Sequence, residues 1–249
     1  MIVLAVHSTS PSLGIAVAED GRILGEKTFA PGREHLERLA PAIRDLIGEF
    51  GITPREIDGL GVAKGPGSFS GIRVGMATVK GMALALEKPV VGISSLEILA
   101  WQTLRDGATG AAVVDAKRGE IYAAIYERQG EQVRLTHGPL LISGDELKSL
   151  VSQSAQPVVL CCADTLAEEL ARSIPRLVTS PASVSPAAAC SLIAWERLRS
   201  GSADDPHGLA PFYVRRSDAE EKKGGLAVGG GTFLQKSPSP VPPLQKTPQ

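Results

Sequence analysis

The chain has 249 residues, 43% of them apolar, and 26 lysines and arginines face 27 aspartates and glutamates for a net charge of -1. That length builds one large domain or two of about a hundred residues each around an ordinary core. The charge balance excludes a whole-chain positive field that would hold RNA or DNA unaided, and no apolar run approaches the ~20 residues of a membrane-spanning helix.

The opening IVLAVHS reads as a buried strand, and LGIAVAED with RILGEKTF around Gly21 reads as an antiparallel hairpin. The first residues lack the basic lead-in of a secretion signal, so the expected location is cytoplasmic. From Glu34 to Phe50, apolar residues recur at spacings of three and four, the stripe of an amphipathic helix, with Pro41 as a kink or a late first turn. IDGLGVAKG is a second buried strand, Gly71 to Glu87 a helix stopped before Pro89, PVVGIS a third strand, and Ser95 to Leu104 a further helix. QPVVLCCAD reads as a strand, TLAEELARSI as a helix, and SPAAACSLIAWERLRSG as a helix opened by Ser185 and Pro186 and closed by Gly201. After Lys223 the composition turns to Gly, Pro and Ser without periodicity, so 224–249 is expected to be a disordered tail.

The segment AAVVDAKRGEIYAAIYERQG lies over VLAVHSTSPSLGIAVAEDG at a shift of 108 residues, with a one-residue slip at the end. His7 then faces Asp115, Leu13 faces Ile121, Ile15 faces Ala123 and Val17 faces Ile125. Two unrelated hairpins can agree this far, but a true duplication would mean two similar α/β lobes. Cys161, Cys162 and Cys190 are read as reduced, packed thiols, and His7, His35, His137 and His207 contain no i, i+4 pair, so no metal site is expected.

The glycine-rich stretch Lys64, Gly65, Pro66, Gly67, Ser68, Phe69, Ser70, Gly71 sits between a strand and a helix, the place for a phosphate cradle. A P-loop counted from Gly65 needs Gly and Lys where Ser70 and Gly71 stand, and a hydrolase elbow needs Ser where Phe69 stands. What remains is either a cradle of backbone N–H groups or a tight turn that needs glycine. In the helix that follows, Arg73, Lys80 and Glu87 form one line and Gly71, Gly75, Thr78, Met82 and Ala85 the opposite one. Both flanks between them are apolar, Ile72, Met76, Val79, Ala83 and Leu86 on one, Val74, Ala77 and Leu84 on the other. One apolar stripe suffices for a surface helix, so this helix is either buried in the chain or part of a protein interface.

The motifs KGPGSFSGIRVGMATVKGMALAL, VVDAKRGEIYAAIYE and PFYVRRSDAEEK resemble the TsaB (YeaZ) family, bacterial factors in threonylcarbamoyladenosine (t6A) biosynthesis on tRNA, over about residues 1–223. The resemblance implies an α/β, actin-like and Hsp70-like (ASKHA) two-lobed fold with duplicated ribonuclease-H-like lobes, 1–105 and 106–223. It implies a non-catalytic scaffold for the transferase TsaD and the ATPase TsaE, a homodimer when alone, tRNA contact only within the complex, and no tightly bound cofactor, with ATP or ADP at the partner interface. Partner contacts are expected from the first-lobe helices, through Leu36, Leu39, Ile43, Gly75, Met76, Val79 and Met82. Where the family usually reads DTS on its first strand, this chain has His7 before Ser8 and Thr9, and His35 is followed four residues on by Leu39 rather than a second histidine. A phosphotransferase or metallopeptidase-like enzyme of the same fold is the competing class.

Overall fold

Val3 to Val6 are fully buried because β1 (Ile2–His7) is the centre of a five-stranded sheet. The structure is a computed structural model that describes residues 1–31, 37–163, 165–213 and 232–233. β2 (Leu13–Glu19) returns antiparallel to β1, and β3 (Arg22–Phe29) returns again through a turn at Asp20 and Gly21 with φ of 49° and 76°. An Asp-Gly pair suits this turn because both central residues need positive φ. The chain then forms α1 (Leu39–Glu49), β4 (Gly59–Gly65), α2 (Phe69–Leu86) and β5 (Val90–Ser94), giving the sheet order β3-β2-β1-β4-β5 with β1, β4 and β5 parallel. Pro41 stands in the first turn of α1, where a missing N–H costs nothing.

α1 and α2 share one core with this sheet, built on Leu4, Val6, Leu13, Ile15, Leu60 and Val62. α3 (Ser95–Thr103) carries the chain out of the first unit, whose described residues lie within Met1–Ile98 and Val184–Tyr213, with Thr232. The second unit holds β6 (Thr109–Lys117), β7 (Glu120–Gln129), β8 (Gln132–Ser143), α4 (Gly144–Ser152), β9 (Val158–Cys161), α5 (Leu166–Ser173) and β10 (Leu177–Thr179). Its sheet runs β8-β7-β6-β9-β10, with β6 and β9 parallel and the two hairpins antiparallel. This is the order of the first sheet, strand for strand, so the repeat is real. The overlay needs one correction. Val6 pairs with Ile15 and His7 with Gly14, whereas Val114 pairs with Tyr122 and Asp115 with Ile121. The second hairpin loop is therefore one residue shorter, and the slip comes before the returning strand rather than at its end, so Gly14, not Leu13, is the counterpart of Ile121.

α6 (Pro186–Arg199) belongs to the first unit, although the sequence expectation placed it in a second lobe of 106–223. Its run of small residues explains why: a Cβ added to Gly14 would lie 2.9 Å from that of Ala187, and one on Gly61 would lie 2.8 Å from that of Ala194. Alanines facing glycines let the helix lie directly on β1, β2 and β4, and Ala187 to Cys190, Ile193 and Ala194 are buried there. α4 was not read from the sequence, though Ser143 and Glu146 form a capping box at its start. The short strands β11 (Phe212–Tyr213) and β12 (Thr232–Phe233) follow. Apart from Thr232 and Phe233, the expected tail of 224–249 lies outside the described residues.

Candidate functional site

The turn Lys64–Gly71 joins β4 to α2, and Gly65 and Gly67 adopt φ of 107° and 153° on either side of Pro66. Ser68 caps the helix, its Oγ accepting from the Gly71 N–H at 3.3 Å. The end of β1 lies against this turn. The Thr9 carbonyl accepts from the Ser68 N–H at 2.7 Å, and Ser8 Oγ donates to the Gly71 carbonyl at 2.8 Å. A Cβ on Gly67 would collide with the Thr9 carbonyl, one on Gly71 with the Ser8 carbonyl, and one on Gly75 with Ser8 Oγ. Gly67 and Gly71 thus admit the chain's own backbone and Gly75 the Ser8 side chain, and the N–H groups of Ser68 and Gly71 are paired within the turn.

Beneath the turn lies a buried polar chain. Ser95 Oγ donates to Thr9 Oγ1 at 2.8 Å, and Thr9 Oγ1 lies 3.1 Å from His7 Nε2. His7, Ser8, Thr9 and Ser95 are all buried. Burial pushes the His7 imidazole down to about 4, so it is neutral at physiological pH. A magnesium-bound nucleotide, which the fold class implies, needs carboxylate oxygens and free N–H donors. A neutral, hydrogen-bonded imidazole and a turn closed by Ser8 and Thr9 do not fit that group.

The counterpart of His7 in the second unit, Asp115, is also used locally. Lys117 Nζ lies 2.6 Å from Asp115 Oδ2, and the Lys117 N–H donates to Oδ1 at 2.7 Å. The Lys117 side chain holds this carboxyl below its usual range. Asp115 therefore fastens its own hairpin, whose residues Lys117 and Arg118 have φ of 65° and 59°.

Of the expected partner contacts, Leu36 and the neighbouring His35 lie outside the described residues. Leu39, Ile43, Met76 and Val79 are between 0% and 4% exposed and belong to the core under the sheet. Gly75 is buried against Ser8, and Met82 is half-buried against the same core. These six present little or nothing to a partner. Of the two apolar flanks of α2, the one with Ile72, Met76, Val79 and Ala83 faces the sheet. The other faces outward: Ala77, Gly81, Leu84 and Ala85 are exposed, Leu84 at 47%, and Val74 is half-buried.

The family described as "TsaD: tRNA N6-adenosine threonylcarbamoyltransferase" matches residues 23–159, more than half of the chain. A Bacillus subtilis protein named tRNA threonylcarbamoyladenosine biosynthesis protein TsaB is 28% identical over 226 residues, 89% of this chain and 97% of its own. The Escherichia coli protein of the same name is 35% identical over 130 residues, 51% of this chain and 56% of its own. The chain belongs to the TsaB (YeaZ) family. The solved structure of YeaZ from Pseudomonas aeruginosa matches with a TM-score of 0.73 and 26% identity, over 86% of this chain and 99% of that one. With the duplicated sheet order, this places the TsaB-family chain in the actin-like, Hsp70-like (ASKHA) α/β class. Among the described residues, no helix is long and apolar enough to cross a membrane, and no three His, Cys, Asp or Glu side chains group as metal ligands would.

Proposed function

We propose that this chain is the TsaB-type subunit of a bacterial assembly that makes t6A on tRNA, and that it acts as a non-catalytic scaffold for a TsaD transferase and a TsaE ATPase. The observation that carries this reading is the end of β1 against the glycine-rich turn: a buried, neutral His7 stands where a nucleotide site needs a carboxylate, the Thr9 carbonyl takes the Ser68 N–H, and Ser8 Oγ donates to the Gly71 carbonyl, so the shape of a phosphate cradle is kept while His7 and the Ser68 N–H are already paired. The names of the relatives support the pathway. The outward flank of α2 supports docking, because Ala77, Gly81, Leu84 and Ala85 are exposed there and place an apolar strip on the surface of the helix. TsaD docks there, a second copy of the chain uses the same flank when TsaD is absent, and any ATP or ADP lies at the partner interface. Transfer of the threonylcarbamoyl group is left to TsaD, and tRNA is met only in the complex.

The test is sedimentation of the purified chain with its host's TsaD, for wild type, Ala77→Glu and Met82→Asp. Ala77 is exposed, so its carboxylate leaves the fold intact while burying a charge in the interface. Met82→Asp strikes the chain's own core and serves as the contrast. Complex formation by wild type and a folded, unassociated Ala77→Glu chain are expected. Wild type that ignores TsaD, or ATP turnover by the chain alone, overturns the reading.

A further inference from the structure

Between the end of α6 and Tyr213 the chain crosses the β5 edge of the first sheet and comes to lie along α2, and the sheet carries features shaped to receive it. Asp204 covers the edge: its N–H donates to the Val90 carbonyl at 2.8 Å, and its Oδ2 accepts from the Gly92 N–H at 2.7 Å. Leu209 enters the core shared by α1 and α2, directly over Gly92, where an added Cβ would meet Leu209 Cδ1. Gly65 is the second slot, since a Cβ there would come within 2.7 Å of the Phe212 carbonyl. The helix grips the segment from the other side. Lys80 Nζ donates to the Leu209 carbonyl at 2.8 Å, two turns after Arg73, whose Nε donates to the Tyr213 hydroxyl at 2.9 Å. The Arg73 guanidinium lies 3.9 Å from the centre of the Phe69 ring, and the Phe69 and Tyr213 rings are 5.0 Å apart.

We propose that Asp204–Tyr213 is a strap that fixes α2, and with it the outward partner flank, and that Tyr213 is its latch, a positioning residue for partner docking. This rests on the docking reading above. The sequence line of Arg73 and Lys80, which has no role in the core, is the line on which the strap is held. The latch closes beside Phe69, the first residue of α2, so the strap, the glycine-rich turn and the start of the partner flank are one mechanical unit.

The test uses the full chain as wild type, Tyr213→Ala and Tyr213→Phe, with amide hydrogen exchange and association with the host's TsaD as separate readouts. Loss of the stack and the arginine contact is expected to speed exchange of residues 69–80 and 204–212 about tenfold and to weaken TsaD association by a similar factor. β1 and α6 keep their protection, and Tyr213→Phe, which retains the ring, recovers most of both effects. Arg73→Gln, exposed and on the helix side of the latch, repeats the pattern should Tyr213→Ala fold poorly. Unchanged exchange in 69–80, or exchange that rises equally throughout the first unit, overturns the strap. Should wild type not bind TsaD at all, the docking reading fails, and the exchange pattern still decides whether the strap holds α2.

Discussion

Acid should unfold this protein earlier than its carboxylates alone require, and His7 is the reason. The imidazole titrates at about 4 in the folded chain against 6.5 for an unburied histidine, because burial disfavours the charged form. A depressed histidine contributes stability that is complete above the unfolded value and is lost as pH falls through 6.5 towards 4, since the unfolded chain then binds the extra proton. At 1.36 kcal/mol per unit, the whole effect is about 3 kcal/mol, of which about 2 kcal/mol is gone by pH 5. Urea unfolding of wild type and His7→Asn at pH 7.5 and pH 5.0 isolates it. The variant pays for its smaller side chain at both pH values, but its loss between them should be about 2 kcal/mol less than that of wild type. His137, which burial also lowers, is present in both chains and cancels. Equal losses in the two chains, or an imidazole titrating near 6.5 by NMR, would refute the burial argument.

Two further outcomes follow from the same packing. Gly71→Ala drives a methyl into the Ser8 carbonyl and should cost about 3 kcal/mol in urea unfolding, whereas Gly81→Ala, with nothing within 4 Å, should stabilise α2 by about 1 kcal/mol. Burial pushes the Cys161 thiol up to about 12 and raises Cys190 as well, so a thiol reagent should modify only the half-buried Cys162 in the native chain and all three cysteines in denaturant.

Much of this fold was readable because its local signals agree. Apolar runs without alternation gave β1 and β4, buried on both faces, and Ser185 with Pro186 marked the start of α6. Where α6 would pack was not readable: a helix of alanines matches any glycine-bearing sheet, and only the placement of Gly14 and Gly61 on one face of β2 and β4 selects the first. Which flank of α2 faces outward was hidden for a related reason. A helical wheel shows two apolar flanks on α2 but cannot say which meets the sheet. The clue lay in Gly71 and Gly75, whose line faces Ser8 and so turns Ala77 and Leu84 outward. β8 and α4 were missed because Gly138 and Pro139 interrupt the strand's alternation, although the Ser143 and Glu146 spacing announces the helix.

The duplication sharpens what can be said of function. Equivalent strand ends carry His7 in one unit and Asp115 in the other, and in each the polar group is consumed by its own hairpin, His7 by Thr9 and Asp115 by Lys117. A group that is already paired must break that pairing before it can act on a ligand, and for a buried one the orphaned partner costs about 1–3 kcal/mol. Opening the glycine-rich turn would add the separation of Ser8 from Gly71 and Thr9 from Ser68. Chemistry at the first strand end would therefore begin with several such penalties, whereas docking on the outward flank of α2 begins with none. The arrangement stiffens the base of α2, which agrees with the docking role proposed for that helix.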